Sequence, residues 1–175
     1  MPNLRKMLGN VQSEECRSLM RLMETQSKRT LANWAVAYAK TYYLPVFEAE
    51  CPEEQRLTET VAACEAYGKG QTSLNEIKPL LREAAQTARA LADRPVAQAA
   101  ARAVSTACAT VQTPTNALGY LFYGSAAVAY SQAGLDRTAE EYEELAAAEF
   151  QRAYASLQKA CIPDEPHPAK PYWNC

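Results

Sequence analysis

Histidine and the β-branched residues are scarce in this sequence. His167 is the only histidine among 175 residues, beside eight valines and two isoleucines. A Cys–His or Ser–His nucleophile needs an imidazole held beside it, yet His167 lies between two prolines. The sequence therefore argues against an enzyme of that kind, and the shortage of β-branched side chains argues against a strand-rich fold.

Metal-ligand patterns are missing as well. Cys161, His167 and Cys175 could in principle converge as zinc ligands near the C-terminus, but their scatter favours a chance distribution. Carboxylate metal sites in helical bundles use Glu-x-x-His motifs, and none occurs here. We therefore predict no metal and no other cofactor.

The chain also lacks a strong charge of one sign and any long apolar run. Its net charge is −2, whereas binding to nucleic acid by bulk electrostatics requires a basic excess. No segment approaches the roughly 20 apolar residues of a membrane span, and the N-terminus has no apolar run of signal-peptide length. We expect a cytoplasmic protein that binds neither nucleic acid nor membranes. Its oligomeric state stays open, with a homodimer as one option.

The six cysteines include no Cys-x-x-Cys pair. Cys16, Cys64, Cys108 and Cys161 fall within helical patterns, where a reduced cysteine acts as a small apolar side chain. The even number permits disulfides, but the spacing suggests no framework, so we expect free thiols.

Alanine is what the sequence has in abundance, with 33 residues. Because alanine has the highest helix propensity, we predict an all-α fold. It is a single-domain antiparallel bundle of about seven helices over residues 1–161, with short connections. A Pro-rich extended tail follows over residues 162–175, where four prolines prevent a helix.

Local signals place several helix ends. Ser73 with Glu76 and Thr138 with Glu141 form capping boxes, which begin two helices. Pro45 should kink or end the second helix, and the third should start near Pro52. The fifth helix opens at Pro95 and presents a face of small side chains, so we expect it to lie centrally.

Two ordered series of motifs carry a family resemblance. The first is Leu31–Ala35, then Leu44–Glu48, Pro52 and Arg56, and the second is Ala62–Gly70, followed by the alanine-rich helices and Ala117–Tyr120. Over roughly Leu31 to Ala133 the chain resembles the Imm-5-like family of putative bacterial immunity proteins. Family members carry histidines in the alanine-rich helices and this chain does not, so the resemblance does not extend to a function that rests on them.

The resemblance implies an all-α cytoplasmic protein that binds and blocks a toxin without catalysis. The acidic residues Glu140, Glu141, Glu143 and Glu144 could then capture a basic toxin, although such a cluster is more often a solvated helix start. The next candidate binding face is the tail around Tyr172 and Trp173.

A small-molecule-binding protein is the alternative. Tyrosines recur in the second helix (Tyr38, Tyr42, Tyr43) and in the sixth helix (Tyr120, Tyr123, Tyr130). They could line a pocket for a planar ligand, or they could pack in the core and at its rim.

Several motif residues favour structural roles. We expect Trp34 in the core, and Arg56 paired with Glu48 to lock the turn at Cys51–Pro52. Gly68 and Gly70 indicate a helix stop rather than a phosphate-binding loop.

Overall fold

The computed structural model describes residues 3–173, and the regular structure in that part of the chain is entirely α-helical, as the alanine content predicted. Its helices are α1 (Glu14–Met23), α2 (Lys28–Tyr42), α3 (Leu44–Glu50), α4 (Arg56–Gly68), α5 (Leu74–Arg89), α6 (Pro95–Ala109), α7 (Asn116–Ala133) and α8 (Ala139–Ala160). No helix within residues 3–173 is long and apolar enough to cross a membrane.

Side-chain caps begin four of these helices. The hydroxyls of Ser13 and Ser27 accept hydrogen bonds from backbone N–H groups in the first turns of α1 and α2. Ser73 and Thr138 form the two predicted capping boxes at the starts of α5 and α8. Each cap satisfies a backbone donor that has no partner inside the helix.

The stretch around Pro45 forms a separate short helix, so residues 3–173 contain eight helices rather than about seven. Tyr43 separates α2 from α3, and Pro45 lies in the first turn of α3, where its missing N–H costs nothing. The helix expected to start near Pro52 begins instead at Arg56, because residues 51–55 form a turn.

The alanine-rich α6 lies at the centre of the bundle, as its small side chains predicted. It packs against α2, α3, α4, α5 and α7, and its contact with α7 is the most extensive. Its inward residues Ala97, Ala100, Ala103 and Ala107 are fully buried. Alanine at these positions lets the neighbouring helix backbones approach closely.

Two non-helical segments cover the bundle. The N-terminal arm (residues 3–12) is fixed by the buried Leu8, whose N–H donates to the carbonyl of Phe122 at 3.1 Å. The Tyr130 hydroxyl donates to the carbonyl of Arg5 at 2.5 Å. The described tail (residues 162–173) turns at Pro163–Asp164 and bends at Pro166–His167, and lies against the α1–α2 connection.

Candidate functional site

A buried carboxylate lies on the inner face of α8. Glu149 is 4% exposed, because it occupies an inward stripe of the helix with Tyr142, Ala146, Ala153 and Leu157. Glu149 was not predicted to be buried, because α8 contains many glutamates. The signal for its burial is its spacing of three residues from Ala146 and four from Ala153, which places it on the apolar face of the helix.

The partners of Glu149 come from α2 and from α8 itself. The Tyr38 hydroxyl donates a short hydrogen bond to the carboxylate, and the Tyr43 hydroxyl lies 3.3 Å from the same oxygen. Arg152, one turn along α8, pairs with the carboxylate and lies 3.9 Å from the Tyr42 ring centroid. The buried charge is therefore both paired and hydrogen-bonded, as burial in a core requires.

The tyrosines around this carboxylate pack on one another. Ring centroids of Trp34, Tyr38, Tyr43 and Tyr120 lie 5.6–6.4 Å apart in edge-on and tilted contacts. Tyr123 and Tyr130 lie elsewhere: Tyr123 lies near the guanidinium of Arg102 and Tyr130 holds the N-terminal arm. The six tyrosines therefore do not line one pocket, and the rings of Tyr38, Tyr43 and Tyr120 fill the space between α2 and α7 by packing on one another.

The hydroxyls of this aromatic cluster keep their protons. Burial, followed by the charge of Glu149, raises the pKa of Tyr38 and of Tyr43 far above the usual range. Burial also raises the pKa of Tyr120, with smaller effects from Tyr38 and Glu149. At neutral pH these hydroxyls stay protonated. Those of Tyr38 and Tyr43 face the Glu149 carboxylate as hydrogen-bond donors, and the Tyr120 ring packs against them.

At the acidic start of α8, two of the four glutamates, Glu141 and Glu143, have partners inside the protein. Glu141 accepts the N–H of Thr138 in the capping box, and Glu143 pairs with Arg5 at 3.1 Å. Glu140 and Glu144 are exposed. Glu141 is exposed as well, so the start of α8 presents three exposed carboxylates beside the half-buried Glu143.

A hollow of about 670 Å³ adjoins this acidic start, between the N-terminal arm and helices α7 and α8. We call it the arm hollow, and its main lining residues are Arg5, Met7, Phe122, Glu143, Ala147 and Phe150. The rings of Phe122 and Phe150 meet edge to face with centroids 5.0 Å apart. The hollow thus combines apolar side chains with the Arg5–Glu143 ion pair and the polar residues Asn10 and Ser13, and no sequence motif marked it.

The tail places its two predicted binding residues differently. Tyr172 is 80% exposed, whereas Trp173 packs against the bundle and its indole N–H donates to Glu24 at 2.7 Å. Glu165 accepts hydrogen bonds from the Ser27 N–H and the Ser27 and Thr30 hydroxyls. Burial raises the pKa of Glu165, but these hydrogen bonds outweigh it, so the net pKa is lowered.

The family motifs meet where α2 crosses the end of α4. The Arg29 guanidinium donates to the Gly68 carbonyl at 2.7 Å, and a β-carbon on Gly68 would lie 2.4 Å from the Asn33 Oδ1. Gly70 follows with φ +74°, a left-handed conformation that favours glycine. The predicted helix stop is confirmed, and these residues fix the contact between the two helices.

Trp34 lies in the core, where its indole N–H donates to the Ser156 hydroxyl at 3.0 Å. Arg56 does not form the expected pair with Glu48. It contacts Glu54, two residues away, at 3.8 Å, because Glu54 lies in the turn that leads into α4. Glu48 itself is exposed.

The thiols and potential metal ligands do not form a centre in the described chain. Cys51, Cys64, Cys108 and Cys161 form no disulfide, and Cys175 lies outside the described residues. No three His, Cys, Asp or Glu side chains between residues 3 and 173 are placed to hold a metal ion.

Comparison with known proteins assigns the chain to one family. The chain matches the family described as "Imm-5 like putative immunity protein" over residues 21–156, and it belongs to that family. Neither the curated proteins nor the solved structures yield a match. The matched region contains the start of α8 and the α7 and α8 walls of the arm hollow, whereas Arg5, Tyr172 and Trp173 lie outside it.

Proposed function

We propose that the protein is an immunity protein that neutralises a bacterial toxin by direct protein–protein binding, in the cytoplasm and without catalysing a reaction. The single observation that carries this proposal is the family match, which spans residues 21–156 of 175. A binding role also suits the core, since its buried tyrosines are protonated donors rather than acid–base groups.

The acidic start of α8 is the binding face that we favour. Glu140 and Glu144 project from the first turns of α8 without a role in the capping box. Exposed carboxylates of this kind attract a basic partner and raise its association rate. Tyr172 is the second candidate, because a large aromatic side chain that is 80% exposed is suited to an interface.

A small-molecule-binding function is the second candidate function. One observation favours it: the hydroxyls of Tyr120 and Ser125 are buried without a hydrogen-bond partner among the described residues. The contacts between the tyrosine rings oppose it, because they occupy the space that a planar ligand would need. Native mass spectrometry of the purified protein distinguishes the two, since a retained small molecule would favour the ligand-binding function.

Growth rescue tests the immunity function. The protein is co-expressed with the toxin candidate encoded beside its gene, and with an unrelated toxin of another class as the specificity control. We expect rescue only from the adjacent toxin, and co-purification of a stable complex with it. Failure to rescue growth, together with the absence of a complex, would refute the immunity proposal for that pair.

A further inference from the structure

We propose that the arm hollow receives an arginine side chain of the toxin, whose guanidinium replaces that of Arg5 on Glu143. This inference rests on the proposed function, because it names the chemistry that the partner presents. Binding of a guanidinium in the hollow can also be tested with a small probe, without the toxin.

The shape and lining of the hollow fit a long side chain with a cationic end. Phe122 is half-buried and, with Met7, offers apolar surface to a methylene stem, while the buried Phe150 ring packs edge to face against Phe122. Met7 lies at the hollow and is 44% exposed, and the flexible thioether of methionine adapts to a partner surface. Arginine is enriched among the residues that contribute most to the affinity of protein interfaces.

Glu143 is the carboxylate of the hollow, and its pairing with Arg5 leaves the lining without net charge. Glu143 contributes a carboxylate that is 36% exposed, and Glu140 and Glu144 lie on the same helix start. Arg5 already places a guanidinium on Glu143, with Nη1 3.1 Å from Oε1. The molecule therefore shows the proposed contact internally, with its own side chain in the position of the partner's arginine.

Arg5 can leave Glu143 without unfolding the arm. Its side chain is 65% exposed, and exposed ion pairs contribute little to stability. The arm is held by other contacts: the Leu8 N–H to the Phe122 carbonyl and the Tyr130 hydroxyl to the Arg5 carbonyl. Exchange of one guanidinium for another therefore leaves the backbone of the arm and the other lining residues in place.

Two neighbouring alanines provide a matched pair of variants. Ala147 and Ala148 are both exposed on α8, but only Ala147 is among the residues that line the hollow. Ala147→Trp should fill the hollow, whereas Ala148→Trp adds the same ring beside it. Circular dichroism and thermal unfolding confirm that both variants fold.

The direct probe is acetyl-arginine amide, titrated into protein labelled at the methionine methyl groups and followed by NMR. We expect the Met7 methyl signal to shift while that of the buried Met23 does not. Ala147→Trp should abolish the shift and Ala148→Trp should retain it. Acetyl-glutamine amide should cause no shift, and a stronger response to acetyl-lysine amide than to the arginine probe would overturn the choice of arginine.

Charge variants test the exchange with Arg5. Arg5→Ala removes the competing cation and should tighten binding of the arginine probe by about threefold, the scale of a lost exposed ion pair. Glu143→Gln should weaken it, whereas Glu14→Gln, which breaks the exposed Arg21–Glu14 pair on α1, should not. Weaker binding to Arg5→Ala, or an unchanged affinity in Glu143→Gln, would overturn the proposal.

Growth rescue with the toxin then distinguishes a failure of this inference from a failure of the proposed function. If the wild type rescues growth, Ala147→Trp should lose rescue and Ala148→Trp should keep it. Rescue by both variants would overturn the arm hollow as the binding site and leave the immunity function standing. Failure of the wild type to rescue would refute the function, while the probe titration would still decide whether the hollow binds a guanidinium.

Discussion

At the scale of single residues, the most unusual feature is a carboxylate in the middle of an apolar bundle. Burial of an unpaired charge costs several kcal/mol, so Glu149 is tolerated only because Tyr38 and Arg152 contact it. Arg152 is still 39% exposed and connects the pair to solvent. The same contacts fix how α2 packs against α8.

Truncation of Glu149 should therefore be costly. Glu149→Ala leaves the Tyr38 hydroxyl and the Arg152 guanidinium without their shared partner, and should lower the free energy of unfolding by about 2–3 kcal/mol. Urea denaturation measures the loss. Glu144→Ala on the exposed side of α8 is the control, and it should stay within about 0.5 kcal/mol of the wild type. Equal effects of the two substitutions would show that the buried pair contributes nothing to stability.

The two glycines of α7 should respond in opposite directions to alanine. A β-carbon on Gly124 would lie 2.0 Å from the Cζ of the fully buried Tyr43, whereas one on Gly119 would meet only Thr106 at 3.9 Å. Gly124→Ala should cost about 1–3 kcal/mol through overpacking. Gly119→Ala should stabilise the helix by roughly 0.5–1 kcal/mol, because glycine is the poorer helix former. Thermal unfolding checks the pair, and a gain for Gly124→Ala would contradict the close approach of α7 to Tyr43.

At the scale of elements, the sequence predicted those helix starts and stops that depend only on residues close together in the chain. The capping boxes at Ser73 and Thr138 and the stop at Gly68 are local chemistry, and each lies where it was expected. The separation of α3 from α2 was not predicted in that form, because Pro45 is compatible with either a kink or a new helix start.

The candidate sites could be predicted less well, because they depend on packing between distant segments. Arg5 and Glu143 are 138 positions apart, and no periodicity brings them together. The burial of Glu149 likewise follows from where α2 and α7 meet α8. The acidic start of α8 was visible in the sequence, but the capping role of Glu141 and the Arg5 pair of Glu143 became clear only in three dimensions.

The tail should detach from the bundle when Glu165 loses its charge. The pKa of Glu165 is lower in the docked tail than its usual value near 4.5, so its contribution is complete above that pH and is lost as the pH falls through the lower folded value. At neutral pH, Glu165→Gln should mimic that loss. Hydrogen exchange of the Ala169 amide, which donates to the Gln26 carbonyl at 2.7 Å, should then become faster.

Asp164→Asn is the matched control for the tail, since it removes a charge from the neighbouring exposed residue. Asparagine also tolerates the left-handed φ of 53° at that position. Exchange of the Ala169 amide should stay at the wild-type rate in this variant. Equal acceleration in both variants would show that general tail charge, and not the contact of Glu165 with Ser27 and Thr30, holds the segment.

At the scale of the whole molecule, the net charge of −2 is too small to direct a partner by itself. Any steering must come from where the exposed acids lie, and the start of α8 combines them with the arm hollow. The family match includes this part of the chain. An immunity protein that captures a basic toxin would therefore depend on local carboxylates rather than on total charge.

Two double variants that change the net charge by the same amount at different places test this dependence on local carboxylates. Glu140→Lys with Glu144→Lys spares the capping box of Glu141 and the Arg5 pair of Glu143. At low salt, the double variant should associate with the toxin about tenfold more slowly, and its rate should depend less on ionic strength. Glu59→Lys with Glu83→Lys changes the net charge equally at exposed positions on α4 and α5 and should have a much smaller effect.

If stopped-flow measurements gave equal slowing in both double variants, the toxin would be responding to total charge. If neither double variant were slowed, the binding face would move away from α8, and Tyr172→Ala would then be the variant expected to weaken the complex, because that side chain is the most exposed aromatic residue of the tail.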